Sequence, residues 1–264
     1  MMREQTLTII KESGEPFVIS SSEEMMVLNF LPSSPVFNNE EERFPGMDGV
    51  IDLGGTFEAR DSIRSQIVFF SKNIDEFYRI RNFIFRLFAS QELFYVITNR
   101  EPEKRWKVRV ASKYEVEPKA SGNYGEIDLV FKSPSTFSES VYTTLESGSN
   151  EYVYNTNSFS VYNAGDAKID PRSPHTPLLI TFKGVSDKLK IKNKTTGDEW
   201  AYNGNTTADD IIRLDRVRST KNSLSIVRDT NKKVIQLNAG VNEFEITGAT
   251  GAFSISFDFR FYCF

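Results

Sequence analysis

The last strand-like stretch of the chain constrains the fold more than any other part of the sequence. Phe253, Ile255, Phe257, Phe259 and Phe261 alternate with serine, aspartate, arginine and tyrosine. Successive side chains of a β-strand point to opposite faces, so this pattern predicts a strand with one apolar and one polar face. A half-buried strand this aromatic needs a second sheet or a neighbouring subunit against its apolar face. The chain is therefore predicted to end in a β-sandwich, and the pattern favours a binding or assembly module over an enzyme.

Length and composition limit the class of protein. A chain of 264 residues fits one large domain or two ordinary ones. The 22 Phe against 2 Trp favour sheet cores and apolar subunit contacts. The single Cys263 excludes an internal disulfide, which favours folding in a reducing cytoplasm. The first residues lack a secretory signal, and no run approaches the ~20 apolar residues of a membrane span, so membrane insertion is not expected.

Charge is distributed unevenly along the chain. Residues 1–140 hold 17 basic and 22 acidic side chains, and residues 141–264 hold 15 and 14. Neither part has the excess of cations that a nucleic-acid surface requires.

The first half is predicted as a sheet with one helix and one hairpin. The short strand candidates are residues 6–10, 17–19, 25–31 and 63–70. Asn73 and Glu76 are spaced to cap a helix reciprocally, each side chain reaching the other's backbone amide. The helix is predicted over about 74–89, with an apolar stripe at helical spacing. That stripe comprises Phe77, Ile80, Ile84, Leu87 and Phe88, with Phe83 on its edge.

Tyr78 and Phe85 lie off this stripe, on a side of the helix that should face water. Either a long loop covers them or another subunit does, and the pattern favours neither.

A hairpin is predicted over about 93–112, with a charged, proline-containing tip and Trp106 at its base. Two further strands are predicted at 114–116 and 126–131. The turn residues from Ser133 onward mark the end of a first domain, predicted as residues 1–137. This domain is therefore expected to be a β-rich α+β unit.

Residues 138–264 are predicted to form an all-β sandwich, because short strand candidates recur at the spacing of that fold. The candidates are residues 159–162, 178–182, 189–191, 200–202, 224–227, 234–237, 243–246 and the terminal run. Residues 209–214 fit a helical turn or a strand, and strand is the favoured interpretation. Turn residues separate them, and residues 248–251 are interpreted as a hairpin turn.

Residues for catalysis are scarce. The only histidine, His175, lies in a turn-rich stretch between two prolines, and Cys263 has no second ligand type near it in the sequence. No phosphate-binding glycine loop or other catalytic motif is present, so no catalytic residue, metal site or cofactor is expected. Trp200 and Tyr202 share one face of a predicted strand and are candidates for stacking on a sugar. Core packing is the favoured interpretation for both, and for Trp106.

Several short motifs, in their order along the chain, resemble those of the distal tail protein (Dit) family of siphophages. In the first half the resemblance lies in the strand ending at residues 67–70, the helix, the hairpin, the strand at 125–131 and the exit at Ser133-Pro134. In the second half it lies in residues 161–165, 191–193, 196–197, 214–215, 237–242 and 257–262, together with Pro177 and Gly184 flanking a strand.

This resemblance implies a structural role in the virion. Members of the family form a hexameric ring at the tail tip, through an N-terminal domain with a sheet, a helix and a protruding hairpin. A galectin-like C-terminal β-sandwich lies at the periphery and supports the tail-associated lysin or other baseplate proteins of the receptor-binding apparatus. The expected partners are copies of the same chain, the tail tube protein and those baseplate proteins. DNA is expected only as cargo passing through the ring, in a particle assembled from protein made in the host cytoplasm.

A ring requires head-to-tail contacts, in which one face of a subunit meets a different face of the next. Tyr78, Phe85 and Trp106 are the candidate interface residues. An acidic first domain also suits a channel that DNA traverses without adhering, because like charges repel. The alternative function is a carbohydrate-binding sandwich that recognises host cell-wall polysaccharide through Trp200 and Tyr202.

Overall fold

The computed structural model describes residues 4–12, 14–21, 24–119, 123–146, 148 and 150–264. The fold is mainly β, as predicted, with one α-helix among the described residues. The chain divides into two units, one comprising Met1–Ser138 with Phe264 and the other Glu139–Cys263. The boundary expected from the sequence lay one residue earlier.

The first unit contains ten strands and one helix along its described residues. They are β1 Leu7–Ile10, β2 Phe17–Ile19, β3 Met25–Pro32, β4 Phe37–Glu42, β5 Ile51–Phe57, β6 Ile63–Phe70, α1 Ile74–Phe88, β7 Phe94–Thr98, β8 Lys104–Val110, β9 Pro118–Lys119 and β10 Tyr124–Lys132.

Seven of these strands form one antiparallel path in the order β2-β1-β7-β8-β10-β6-β3. β8 and β10 pair at only two positions, Phe131 with Val110 and Lys132 with Arg109, so the path consists of two halves joined at a narrow point. The inward residues of both halves enclose one core with the apolar stripe of α1. The rings of Phe69 and Phe77, 5.1 Å apart, join sheet and helix.

The predicted helix and its start are confirmed, and one detail of the cap differs. The Asn73 side chain accepts a hydrogen bond from the Glu76 amide at 2.9 Å, as expected. The Glu76 carboxylate instead accepts from the amide of Lys72 at 2.7 Å, one residue before the cap. This hydrogen bond from the Lys72 amide is the largest cause of the lowered pKa of Glu76. Both side chains therefore take part in the cap, but the Glu76 side chain binds the amide of Lys72, before the cap, rather than that of Asn73.

One prediction for the first unit was wrong. Residues 114–116 are not a strand; Val116 is buried within an irregular segment and Tyr114 packs against the helix. The predicted hairpin of β7 and β8 is present, and its strands also pair with β1 and β10. The turn of this hairpin contacts the residue that precedes β1: the Asn99 side chain accepts a hydrogen bond from the Thr6 amide at 3.0 Å.

The described residues of the second unit form only β-strands and connecting segments, apart from a 3₁₀ turn at Val227–Asp229. Its strands are β11 Ser138–Ser140, which begins at the unit boundary, β12 Val153–Tyr154, β13 Ser158–Asn163, β14 Leu178–Asn193, β15 Glu199–Ala201, β16 Asn205–Thr206, β17 Ile211–Asp215, β18 Arg218–Lys221, β19 Leu224–Ser225, β20 Gly240–Phe259 and β21 Tyr262–Cys263.

Two long strands, β14 and β20, organise this unit. They pair from Leu178–Phe259 to Asn193–Phe244, with register shifts around Ser186. Bulges bend a strand pair, and here the two halves fold over each other to give a sandwich from the same two strands. The rings of Phe244 and Phe257 come from opposite halves and contact each other at 4.8 Å.

The long strands explain where the prediction for this half was wrong. Residues 248–251 are not a hairpin turn but lie inside β20, at the bulge opposite Ser186. Gly248 there has φ +84°, and a Cβ would lie 2.5 Å from the carbonyl oxygen of Asp187, so glycine is required. Residues 234–237 form no strand, only a bridge between Leu237 and Ile169. The terminal alternation does bury Ile255, Phe257 and Phe259, as predicted.

Three buried asparagines account for several of the motifs that carry the family resemblance. Asn163, Asn193 and Asn242 are almost completely inaccessible to solvent. Asn242 accepts from the Asn238 amide at 2.8 Å and from the Asn193 side chain at 3.2 Å. Asn163 donates to the carbonyl of Ala167 at 2.8 Å. Backbone N–H and C=O groups of a buried turn have few backbone partners, and these asparagine side chains form hydrogen bonds with them instead. The motifs therefore specify turn geometry.

Candidate assembly surfaces

The most exposed ordered element of the first unit is the hairpin of β4 and β5, called the arm below. Within the described ranges the two strands pair only with each other and belong to no other sheet. Every residue of both strands is exposed. At the base of the arm the ring of Phe57 contacts Phe37 at 5.1 Å and Phe264 at 4.9 Å. An isolated two-stranded hairpin is marginally stable in water, so this arm is suited to a partner surface.

Pairing in the arm places apolar and acidic side chains together. Phe37 lies opposite Phe57, and Glu41 lies opposite Asp52. Because Phe37, Asn39 and Glu41 alternate along β4, these two pairs share one face, while Ile51, opposite Glu42, lies on the other. The arm therefore exposes apolar side chains on both faces, next to acidic ones. Eight large apolar residues of the arm and its immediate surroundings are exposed: Val36, Phe37, Phe44, Met47, Val50, Ile51, Leu53 and Phe57.

A second candidate surface lies on the outer side of α1. Tyr78 is 42% exposed and Phe85 is 37% exposed. Arg81 lies between them, with its guanidinium carbon 4.6 Å from the centre of the Tyr78 ring and 5.6 Å from that of Phe85. Such cation–π contacts order an exposed arginine over aromatic rings. The surface is therefore an amphipathic patch of two half-covered rings and one cation.

Beside this patch a groove of about 480 Å³ runs between the end of α1 and the segment after β8. Tyr114 forms one wall and contacts Phe85, with 5.6 Å between ring centres. Burial raises the pKa of the Tyr114 phenol to about 12. The segment containing Tyr114 thus covers part of Phe85, while the rest of that ring and Tyr78 stay accessible in the isolated subunit.

Trp106 does not present a surface, contrary to its place among the predicted interface residues. It is buried on the inner face of β8, next to Val108 in the alternation of that strand. The guanidinium carbon of Arg60 lies 5.5 Å from the centre of its ring. Trp106 is thus part of the core, which agrees with the core-packing interpretation of this residue.

Trp200 and Tyr202 are also buried, in the second unit. The indole nitrogen of Trp200 donates to the Ser219 hydroxyl at 3.1 Å, and the two rings lie nearly parallel with centres 6.5 Å apart. A platform for a sugar must expose a ring face to solvent. Neither ring does so, and the two candidates for sugar stacking are core residues.

The described part of the chain contains no cluster of three or more histidine, cysteine, aspartate or glutamate side chains able to hold a metal ion. His175 is exposed in its loop and Cys263 is partly buried. No described helix is both long and apolar enough to cross a membrane.

The arm was not among the surfaces predicted from the sequence. Its first strand reads Phe-Asn-Asn-Glu-Glu-Glu and its second contains Gly54-Gly55, so neither shows the alternation of a half-buried strand. The available signal was the spacing of Ile51, Leu53 and Phe57 within a polar, glycine-rich stretch.

Comparison with known proteins gives a family match for the first unit and a fold match for the whole chain. Residues 14–133 match the family described as phage tail protein RIFT-related domain. The structure resembles that of the SPP1 Dit (gp 19.1) protein, a paradigm of the hub adsorption apparatus in phages infecting Gram-positive bacteria. The match has a TM-score of 0.69 and 14% identity, and covers 97% of this chain and 99% of that one.

A chain of the phage p2 baseplate in its activated conformation with Sr matches with a TM-score of 0.50 and 8% identity, over 97% of both chains. At these identities the similarity is one of fold. Comparison with curated protein sequences gives no match.

Proposed function

We propose that the chain is a structural hub of the phage tail tip, because its first unit matches the phage tail protein RIFT-related domain and its whole length has the fold of the SPP1 Dit protein. The resemblance predicted from the sequence is confirmed by both comparisons. We further propose that the hub is a ring of six copies, and that it has no enzymatic activity.

The arm is the observation that supports a ring most strongly. It exposes several large apolar side chains on a two-stranded element that pairs with no other described strand. Large exposed apolar patches on soluble proteins are typical of interaction sites. An arm on one subunit and a different receiving surface on the next give the heterologous contact that a closed ring needs. Tyr78 and Phe85 of α1 remain candidate interface residues.

The other partners follow from the position of such a hub. The ring joins the tail tube protein to the tail-associated lysin and the receptor-binding apparatus, and the C-terminal sandwich supports those baseplate proteins. DNA passes through the ring as cargo and is not bound. The protein is made in the host cytoplasm and located in the virion, at the distal end of the tail.

Electron microscopy of the purified chain, alone and with the tail tube protein, tests this function. We expect sixfold rings for the complete chain. A matched variant replaces residues 38–56 with a short glycine–serine linker, which leaves the main sheet intact because the arm does not pair with it. This variant should remain a folded single subunit. Rings of unchanged appearance from the variant would contradict the role of the arm, and absence of rings from the complete chain under both conditions would contradict the hub.

A further inference from the structure

The helix patch, formed by Tyr78, Arg81 and Phe85, holds a cation without a counter-ion. The guanidinium of Arg81 lies over both rings, and its Nη2 donates to the Asn82 side chain at 3.1 Å. Across the described ranges, Arg81 forms no ion pair with a carboxylate. An arginine has five N–H donors, so one stacked on rings can still bind a carboxylate. The patch is therefore suited to a partner that is both apolar and acidic.

The groove beside the patch has the same character. Phe85 and Tyr114 line it on the aromatic side, and its volume is about 480 Å³. Arg109 and Lys113 also line it, and both are exposed. Glu115 is the one acidic residue in this lining. Patch and groove together thus form an aromatic surface with an excess of positive charge.

The arm is apolar and carries the opposite charge. Residues 37–57 contain five acidic side chains and one basic side chain. Ile51 lies opposite Glu42, and Leu53 follows at the next alternate position of β5. Glu42 is exposed and forms no ion pair with a described cation. The arm therefore presents aliphatic side chains beside a carboxylate that is available to a partner.

The two surfaces also agree in length. Tyr78 and Phe85 are seven residues apart in α1, which corresponds to about 10 Å along the helix axis. Ile51 and Leu53 are two residues apart in β5, which corresponds to about 7 Å along the strand. Both aliphatic side chains therefore fit within the span of the two rings. A carboxylate beside them then lies close to Arg81, which is located between those rings.

We propose that the arm of one copy of the chain docks on the helix patch of the next copy, where Glu42 supplies the counter-ion of Arg81. Ile51 and Leu53 of the arm cover the exposed rings of the patch. The proposal rests on the proposed ring and identifies the surface that receives the arm. Because the arm and the patch are different surfaces of the chain, the contact is head-to-tail and can close into a ring. A second arm is a poor occupant of the arm surface, since both arms are acidic and repel each other.

Cysteine crosslinking tests which surfaces meet. In a Cys263→Ser background, one variant carries Leu53→Cys in the arm, a second carries Phe85→Cys in the patch, and a third carries both. A chain with Leu53→Cys and Leu224→Cys is the matched control, since Leu224 is exposed in the second unit. Each chain is assembled, with the tail tube protein where assembly needs it, treated with a short bifunctional thiol reagent and separated on a denaturing gel. Thermal unfolding verifies that each variant is folded.

We expect the chain with both cysteines to give a ladder of up to six linked copies, and an equimolar mixture of the two single-cysteine chains to give dimers. Each single-cysteine chain alone, and the control, should stay monomeric on the gel. Dimers of the Leu53→Cys chain alone would show that arm meets arm, and thiols linked within one copy would show that the arm covers its own helix. Either result would overturn the proposed contact.

Rings that form without these crosslinks would also overturn the contact, while leaving the ring in place. A complete chain that does not assemble, even with the tail tube protein, would overturn the proposed function and this contact together.

Charge exchange tests the assignment of the counter-ion. Arg81→Glu and Glu42→Arg are made separately and together, and Arg64→Glu, at an exposed position of β6, is the control. By sedimentation velocity, either reversal should raise the concentration at which the assembly dissociates by about fivefold or more, and the exchange should restore it to within about threefold. The control should change it by less than about twofold. Reversals without effect, or reversals that the exchange fails to rescue, would overturn the pairing of Glu42 with Arg81.

Discussion

Substitution of Leu53 by serine should weaken assembly without weakening the subunit. Leu53 lies in β5 of the arm and is 58% exposed, with neighbours in β5 that are exposed as well. Little of its side chain is packed in the isolated subunit, so the free energy of unfolding should change by less than about 0.5 kcal/mol. Its remaining apolar surface is available to a neighbouring copy.

The magnitude follows from that exposed fraction. Complete burial of a leucine side chain is worth about 1.5–3 kcal/mol, and somewhat more than half of that surface is still accessible. Covering it in a subunit contact therefore contributes about 1–1.5 kcal/mol. Its loss should weaken each contact by about five- to tenfold, because 1.4 kcal/mol corresponds to a factor of ten.

A dilution series followed by sedimentation velocity measures this effect. The matched control is Leu224→Ser, at a position that is 74% exposed in the second unit, far from the arm in the sequence. We expect the Leu53 variant to dissociate at a concentration about five to ten times higher than the unchanged chain, which corresponds to a loss of about 1–1.5 kcal/mol per contact. The control should dissociate at the same concentration as the unchanged chain. Equal behaviour of the two variants would refute the argument that the exposed apolar side chains of the arm are buried by assembly.

Three further predictions concern the fold. Gly125→Ala should lower the free energy of unfolding by about 1–3 kcal/mol, since the added Cβ would lie 2.5 Å from a buried phenylalanine ring, whereas Gly14→Ala, with open space around it, should not; denaturant titration measures both. Asn242→Ala should lower the free energy of unfolding by about 2 kcal/mol or more, because the buried partners of Asn242 lose their hydrogen bonds. Asn155→Ala, at an exposed position, is the control and should leave it unchanged. The free energy of unfolding should fall between pH 10 and about pH 12, because the Tyr114 phenol loses its proton at lower pH in the unfolded chain than in the folded one. Tyr114→Phe should make the free energy of unfolding fall less steeply with pH, and an unchanged pH dependence would contradict this explanation.

The predictable parts of the fold are those in which one face is buried. The helix was predicted because its stripe repeats at helical spacing and Asn73 stands at its start, and the structure buries Phe77, Ile84 and Phe88 of that stripe. The terminal alternation predicted the burial of Ile255 and Phe257 for the same reason. In both cases the period of the pattern equals the period of the element.

The long strands of the second unit were predicted as separate pieces because glycine has two uses in a β-sheet. Gly184 and the glycines of residues 248–251 resemble turn residues, but here they lie at bulges where β14 and β20 bend together. Local composition does not distinguish a bulge from a hairpin turn, since both need the backbone freedom of glycine. The difference is set by a strand distant in the sequence.

The candidate sites were the least predictable feature. Trp106 alternates with Val108 in β8, so its burial followed from the same rule that predicted the core elsewhere. The arm has no buried face, and a pattern based on burial cannot reveal it. The narrow junction at which β8 and β10 pair at two positions was not predictable either, because that register is not encoded in any short segment.

The mass of the purified protein in solution tests the central claim most directly. A single subunit has a mass of 30.1 kDa. Light scattering over a concentration series, with and without the tail tube protein, should give a species of six times that mass, whose dissociation is promoted by Leu53→Ser. A folded protein that keeps the mass of one subunit under all of these conditions would contradict the account of the chain as a ring-forming hub.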